Sequence, residues 1–94
     1  MSPAESCIRR VYLSVAGLKV VRESRSFRTY EAQLSGSGIA VHSHKVPTVV
    51  IIVSGAAMAK KRLDQPGQSA FIPAGEEHQV VAQGDARVIE IEVR

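Results

Sequence analysis

The sequence predicts an all-β protein: an antiparallel sandwich or barrel in a single domain. Three observations carry this. Eight or nine short strand-like runs follow one another, with turn residues at short intervals. No stretch shows a convincing amphipathic helix. Ninety-four residues with no long linker, composition shift or low-complexity tract make one domain, 1–94.

Taken in order, residues 1–7 read as a loose end. Ile8 to Val15 is strand-like, with Val11, Leu13 and Val15 on one face, and Ala16-Gly17 breaks it. Leu18 to Glu23 is a second strand, and Ser24-Arg25-Ser26 a polar turn. Phe27 to Leu34 alternates, with Tyr30, Ala32 and Leu34 facing inward. Ser35 to Gly38 is a turn before a strand from Ile39 to His44, which Lys45-Val46-Pro47 interrupts. Thr48 to Val53 is nearly all β-branched and apolar, the mark of a buried strand. Ser54-Gly55 turns the chain into a weaker strand, Ala56 to Leu63, whose alanines would also suit a helix. Asp64-Gln65-Pro66-Gly67 fits a type II turn, with Pro presetting φ and Gly supplying a positive one. Gln68 to Ile72 is short and ends at Pro73-Ala74-Gly75. His78 to Gln83 follows, with His78, Val80 and Ala82 on one face. Gly84-Asp85 suits a two-residue hairpin turn. Ala86 to Arg94 closes with period two, Ile89, Ile91 and Val93 against Glu90, Glu92 and Arg94.

Composition narrows the function classes. A chain this short hides only somewhat more than ~60% of its extended-chain surface, so its core is thin. Metal or a partner subunit would help stability, and a homodimer is expected because β-edges need cover. Lys and Arg number 12 against 9 Asp and Glu, for a net charge of +3, and gather only at Lys60-Lys61-Arg62. With no Trp and only Tyr12, Phe27, Tyr30 and Phe71 as aromatics, no stacking platform for bases is expected, and no nucleic-acid partner. The single Cys7 excludes an internal disulfide and has no neighbour that marks it as a catalytic thiol. The N-terminus lacks a signal-peptide pattern, and no apolar run approaches the ~20 residues of a membrane span. A soluble protein of a reducing, cytoplasmic compartment, with no membrane partner, is the expectation.

The chemistry concentrates in the histidines. His42 and His44 lie two residues apart on one strand, so they share a face with Ala40, while Ile39 and Val41 point the other way. His78, the third and last histidine, opens another strand. Across an antiparallel barrel, strands distant in sequence can face each other. Three imidazoles meeting there would cap a divalent metal, and imidazole suits Fe, Ni, Cu and Zn. The alternative is a set of core histidines bonded to backbone groups, with no metal. Glu76 and Glu77 flank His78, but loop carboxylates are usually solvated. Ser43 faces away from the histidines, so no triad forms. Tyr30, Val50, Ile52, Met58, Ile72 and Val80 are candidates to line the interior or pocket.

The two histidine segments resemble the paired motifs of the cupin superfamily. The first motif reads Gly, five residues, His, one, His, three or four, Glu, six, Gly. Here Gly36, His42, His44, Thr48 and Gly55 keep the spacing. The second reads Gly, five, Pro, one, Gly, two, His, three, Asn, and Gly67, Pro73, Gly75, His78 and Ala82 keep it too. Eight of ten positions match. A glycine is only about 7% likely at any place and a proline about 5%, so chance is a poor explanation. The resemblance covers Gly36 to Ala82.

It implies a cupin-type β-barrel or jelly roll, and a divalent transition metal (Fe, Mn, Ni, Cu or Zn) on His42, His44 and His78. The family's ligand glutamate is replaced by Thr48. That residue is expected in a supporting role, bonding a water or packing, and the loss is expected to leave a more positive site that weakens cation affinity. Some cupins use three histidines without the glutamate, including dioxygenases of diketones and thiols. Two classes of function follow. One is a metal-dependent dioxygenase or isomerase acting on a small organic molecule. The other is a non-catalytic module that binds a small ligand or metal, or a metal-free structural cupin.

Overall fold

A computed structural model of the chain describes residues 12–13, 19–36 and 38–94. Among them run ten strands and no helix: β1 (Tyr12–Leu13), β2 (Lys19–Glu23), β3 (Phe27–Ser35), β4 (Gly38–His42), β5 (Thr48–Ser54), β6 (Ala57–Ala59), β7 (Lys61–Leu63), β8 (Ser69–Ile72), β9 (His78–Ala82) and β10 (Asp85–Val93). The expected loose end 1–7, Cys7 and the Val11–Leu13–Val15 face lie outside what is described, apart from the backbone of β1.

The strands form a six-stranded sheet, β1-β2-β3-β10-β5-β8, and a four-stranded sheet, β4-β9-β6-β7. Every pairing is antiparallel. From β3 onward the chain passes repeatedly from one sheet to the other, as in a jelly roll. One connection shows why a glycine is needed. Gly55 joins β5 to β6 at φ 77°, and a Cβ there would lie 2.0 Å from the Asp85 carbonyl oxygen. Both the left-handed backbone and the close approach of the β10 strand exclude a side chain.

The core lies between the two inner faces. β2, β3, β5, β8 and β10 contribute Val20, Tyr30, Ala32, Leu34, Val50, Ile52, Ile72 and Val88. Opposite them stand Ile39, Ala57, Ala59, Leu63 and Val80. Each Val, Leu or Ile removed from water contributes about 1.5–3 kcal/mol, so this short list carries much of the stability. The inward face expected of β3 and the buried character of β5 both hold.

Three local expectations need correction. The segment Ala56 to Leu63 is not one strand: the chain reverses at Lys60, whose φ is 67°, and β6 pairs with β7. The pleat turns Ala57 and Ala59 inward, which leaves Met58 outside at 45% exposure, so it lines no pocket. Gly84-Asp85 is not a hairpin turn, because β9 and β10 belong to different sheets. The segment's polar groups pair elsewhere: Gln83 N–H donates to the Ala56 carbonyl (3.0 Å), and Gly36 N–H to the Gly84 carbonyl (2.8 Å). The Pro66-Gly67 turn is closed by Gln68 N–H donating to the Gln65 carbonyl (3.0 Å), which puts Pro66 second and Gly67, at φ 91°, third, as expected.

The outer face of the six-stranded sheet is unusually apolar. Val49, Ile51, Ile89 and Ile91 are half-buried there, and Phe71 and Phe27 are exposed. An antiparallel sheet with one solvated face ordinarily carries polar side chains at such positions.

Candidate metal centre

The histidines reach one point by a device that simple alternation does not provide. β4 pairs with β9 through Ile39↔Val80 and His42↔His78, and the register shifts between these pairs. The bulge places an extra residue in β4. Ile39 and His42 therefore both face the barrel, while Ala40 and Val41 are exposed. Expecting Ala40 on the histidine face and Ile39 on the other was wrong for this reason. His44 lies just past the strand and still points inward. Its carbonyl accepts from Gly75 N–H at 2.8 Å, which ties it to the turn that aims His78. Ser43 is exposed, as expected.

All three rings converge. Their centroids lie 4.1 Å apart for His42 and His78, 4.9 Å for His42 and His44, and 5.4 Å for His44 and His78. All three are buried. What they surround is a carboxylate from the opposite sheet. Oε1 of Glu90, on β10, lies 3.2 Å from His42 Nε2, 2.8 Å from His44 Nε2 and 3.1 Å from His78 Nε2. One ligand atom from each of the four residues falls within 4.8 Å of the others. His42, His44, His78 and Glu90 thus form a cluster that could hold a metal ion.

The partners on the far side of the rings set their protons. Nδ1 of His42 faces the Ala40 carbonyl at 2.8 Å, and a carbonyl can only accept, so Nδ1 carries the proton. Nδ1 of His44 likewise donates to Glu92 Oε2 at 2.6 Å. Glu92 also accepts from the Tyr30 hydroxyl at 3.0 Å. With Nδ1 protonated, the neutral ring turns a lone pair on Nε2 toward the centre, the form in which histidine binds a metal.

The donor set fits a cation. Without one, three Nε2 atoms can approach a single carboxylate oxygen only as N–H donors. That makes His42 and His44 imidazolium, and asks one oxygen with two lone pairs to accept three bonds. With a divalent ion at the centre, three lone pairs and one negative oxygen become its ligands. Two buried atoms, His78 Nδ1 and Glu90 Oε2, have no partner among the described residues, and the second leaves a further oxygen for such an ion.

Electrostatics record the same tension in the metal-free protein. Burial works against charging His42 and His44, but the hydrogen bonds to Glu90 outweigh it, helped by the Ala40 carbonyl for His42 and by Glu92 for His44, and both pKa values rise. Burial likewise opposes ionisation of Glu90. The three imidazoles override it and hold that carboxyl far below the usual carboxylate range.

The structure thus replaces one expectation with another. The carboxylate missing at Thr48 is supplied by β10, so the site is not left more positive for want of an acid. Thr48 is buried, pairs across the strands with Glu92 and donates its hydroxyl to the Val46 carbonyl at 3.2 Å. It packs, and does not reach the cluster. Tyr30, Val50 and Val80 are buried around the site, with Tyr30 and Val50 the cross-strand neighbours of Glu90. Glu76 pairs with Lys60 at 2.9 Å on the surface, and Glu77 is exposed. Glu90 and Glu92 are what sequence reasoning missed. The signal was present: Ala86, Val88, Glu90 and Glu92 share one face of a strand, and two apolar residues followed by two acids suggest a core that ends in a site.

No family model matches the chain, and no curated protein does. Solved structures do. An RmlC-like cupin from Shewanella frigidimarina is 20% identical, with 98% of this chain and 87% of that one aligned at a TM-score of 0.71. KdgF from a Halomonas species is 21% identical over 90% of this chain and 88% of that one, at 0.70. A cupin domain from Bordetella pertussis is 20% identical over 88% and 97%, at 0.67. The fold is that of the cupin superfamily. At these identities the likeness establishes the cupin fold alone, and the activity has to be argued from the site. Among the described residues no helix is long and apolar enough to cross a membrane.

Proposed function

We propose that this cupin holds one divalent transition metal on His42, His44, His78 and Glu90 and acts on a small organic molecule as a dioxygenase or isomerase. The observation that carries the metal reading is the convergence of three Nε2 atoms on one carboxylate oxygen, with two of the rings already held in the metal-binding tautomer. When bound, the ion supplies Lewis-acid polarisation of a substrate oxygen, and redox chemistry if it is iron. The chain's own residues hold and orient. The Ala40 carbonyl and Glu92 fix the rings of His42 and His44, and Val50, Ile52, Val80 and Val88 keep bulk water from the inner wall.

A second reading has its own support. Three imidazoles and one carboxylate already fill four positions, the closed set of a resting or structural ion. A non-catalytic metal or ligand module would look like this. Purified protein reconstituted with Fe, Mn, Ni, Cu and Zn in turn is expected to retain about one ion per chain. His42→Ala with His44→Ala should abolish retention. A wild-type chain that keeps none of the five ends both metal readings and leaves a structural cupin. Oxygen consumption by metal-loaded protein with diketone, thiol or phenolic compounds supports the enzyme, and silence across that panel favours the module.

The homodimer expected from the thin core gains support from the apolar outer face of the six-stranded sheet, where Ile51 and Ile89, and Val49 and Ile91, sit side by side across β5 and β10. Sedimentation of a monomer at micromolar concentration would contradict it.

A further inference from the structure

Beside the histidine cluster a cavity of about 310 Å³ opens at one end of the barrel. Its wall includes Arg28, Tyr30, His44, Lys45, Glu92 and Arg94. Apart from His44, none of these belongs to the candidate metal set. Three cations on one small cavity are unusual in a chain whose net charge is only +3.

Two of the cations are held in place from behind. Glu23, on β2, is buried, and its carboxylate accepts from Arg28 Nε at 2.7 Å and from an amino group of Arg94 at 2.8 Å. A second Arg28 nitrogen also contacts Glu23. Burial alone would raise the Glu23 pKa, but the two guanidiniums lower it, so it stays ionised. This arrangement does not exhaust the arginines. A guanidinium has five N–H donors. Besides its Glu23 bonds, Arg28 gives one long contact to the Tyr30 hydroxyl (3.5 Å), and Arg94 donates to the Ser24 carbonyl (3.3 Å). Two donors on Arg28 and three on Arg94 have no hydrogen-bond acceptor among the described residues, and Arg94 also faces Glu92 Oε1 at 3.9 Å. Lys45 is exposed and has no ion pair among the described residues.

We propose that this cavity is a binding site for a carboxylate-bearing small molecule, with Arg28 and Arg94 as a preset planar fork and Lys45 as a mobile third contact. Arg suits planar, two-pronged recognition of a carboxylate, and rigid placement by Glu23 lowers the entropy lost on binding. Among the side chains other than the histidines, three cations against Glu23 and Glu92 leave +1 around the cavity, which suits a single carboxylate. That the anion is a substrate rests on the metal reading above, but its binding does not.

The test therefore uses metal-free protein. Propionate, its neutral counterpart propionamide, and inorganic phosphate are titrated into EDTA-treated wild-type protein and followed by amide NMR shifts. Propionate is expected to shift Lys45 and Val46 and to bind at least about tenfold more tightly than propionamide or phosphate, because charge-assisted hydrogen bonds carry the difference. Lys45→Gln, on the surface, should keep the fold and weaken propionate at least about threefold. Arg94→Gln should weaken it about tenfold, with a melting curve to confirm folding. Equal binding of propionate and propionamide, no shift at Lys45 and Val46, tighter binding of phosphate, or an unchanged Lys45→Gln protein would each overturn the proposal. None of these outcomes depends on whether the histidines retain metal, which metal analysis reads separately.

Discussion

Replacing Glu90 with Gln keeps the shape of the side chain and removes one charge from the centre of the barrel. In the metal-free protein Glu90 is fully buried, and its Oε1 serves three imidazole nitrogens at 2.8–3.2 Å. The sign of the pH effect follows from the shifts. Glu90 is lowered from 4.5, so its contribution is present above pH 4.5 and is lost as pH falls toward its depressed folded value. His42 and His44 are raised from 6.5, so theirs is present below pH 6.5 and is lost as pH rises through their folded values. Metal-free wild type should therefore be most stable between about pH 4.5 and 6.5. Breaking a buried charge cluster costs about 3–5 kcal/mol, and because the imidazoles can shed protons the low end, about 3 kcal/mol, applies at pH 5.5. For a domain of this size each kcal/mol moves the melting midpoint by about 4–8 °C, so Glu90→Gln should melt at least about 12 °C lower at pH 5.5. As pH rises through the raised folded values of His42 and His44, the gap should narrow. Thermal denaturation in EDTA across pH 4–8 reads this directly. A Glu90→Gln protein with the wild-type midpoint at pH 5.5, or with a gap that widens toward pH 8, would refute the account of the cluster.

Other expectations follow from the same geometry. Metal affinity should rise with pH through the neutral range, since protons compete for the ring nitrogens whose pKa values are raised, and competition with a colorimetric chelator at pH 6, 7 and 8 measures it. Glu92→Gln should leave one ion per chain but weaken its retention about 10–100-fold, because Glu92 orients His44 without belonging to the four candidate ligands. Gly55→Ala should cost about 3 kcal/mol or more by denaturant unfolding, combining a left-handed φ with a clash against the Asp85 backbone. Gly67→Ala, at φ 91° but with open space around it, should cost only about 1–2 kcal/mol.

The sequence alone determined the β architecture and the three histidines of the site. Period-two alternation in Phe27 to Leu34 and the β-branched run from Thr48 are local properties, and strands report them faithfully. Turn residues at fixed spacing carried the rest, because Gly55, Gly67 and Gly75 do hold positive φ. Tertiary structure decided what depends on which strands meet. Period two gives two faces and does not say which one is inside; the Ala86–Val88–Glu90–Glu92 face was legible as a pattern, but only the placement of β10 between β3 and β5 turned it inward. The bulge in β4 moved Ile39 into the core against its own alternation, since one inserted residue reverses the face of everything before it. A carboxylate from the last strand, among imidazoles from two others, is a product of sheet pairing, and no local run of residues encodes it.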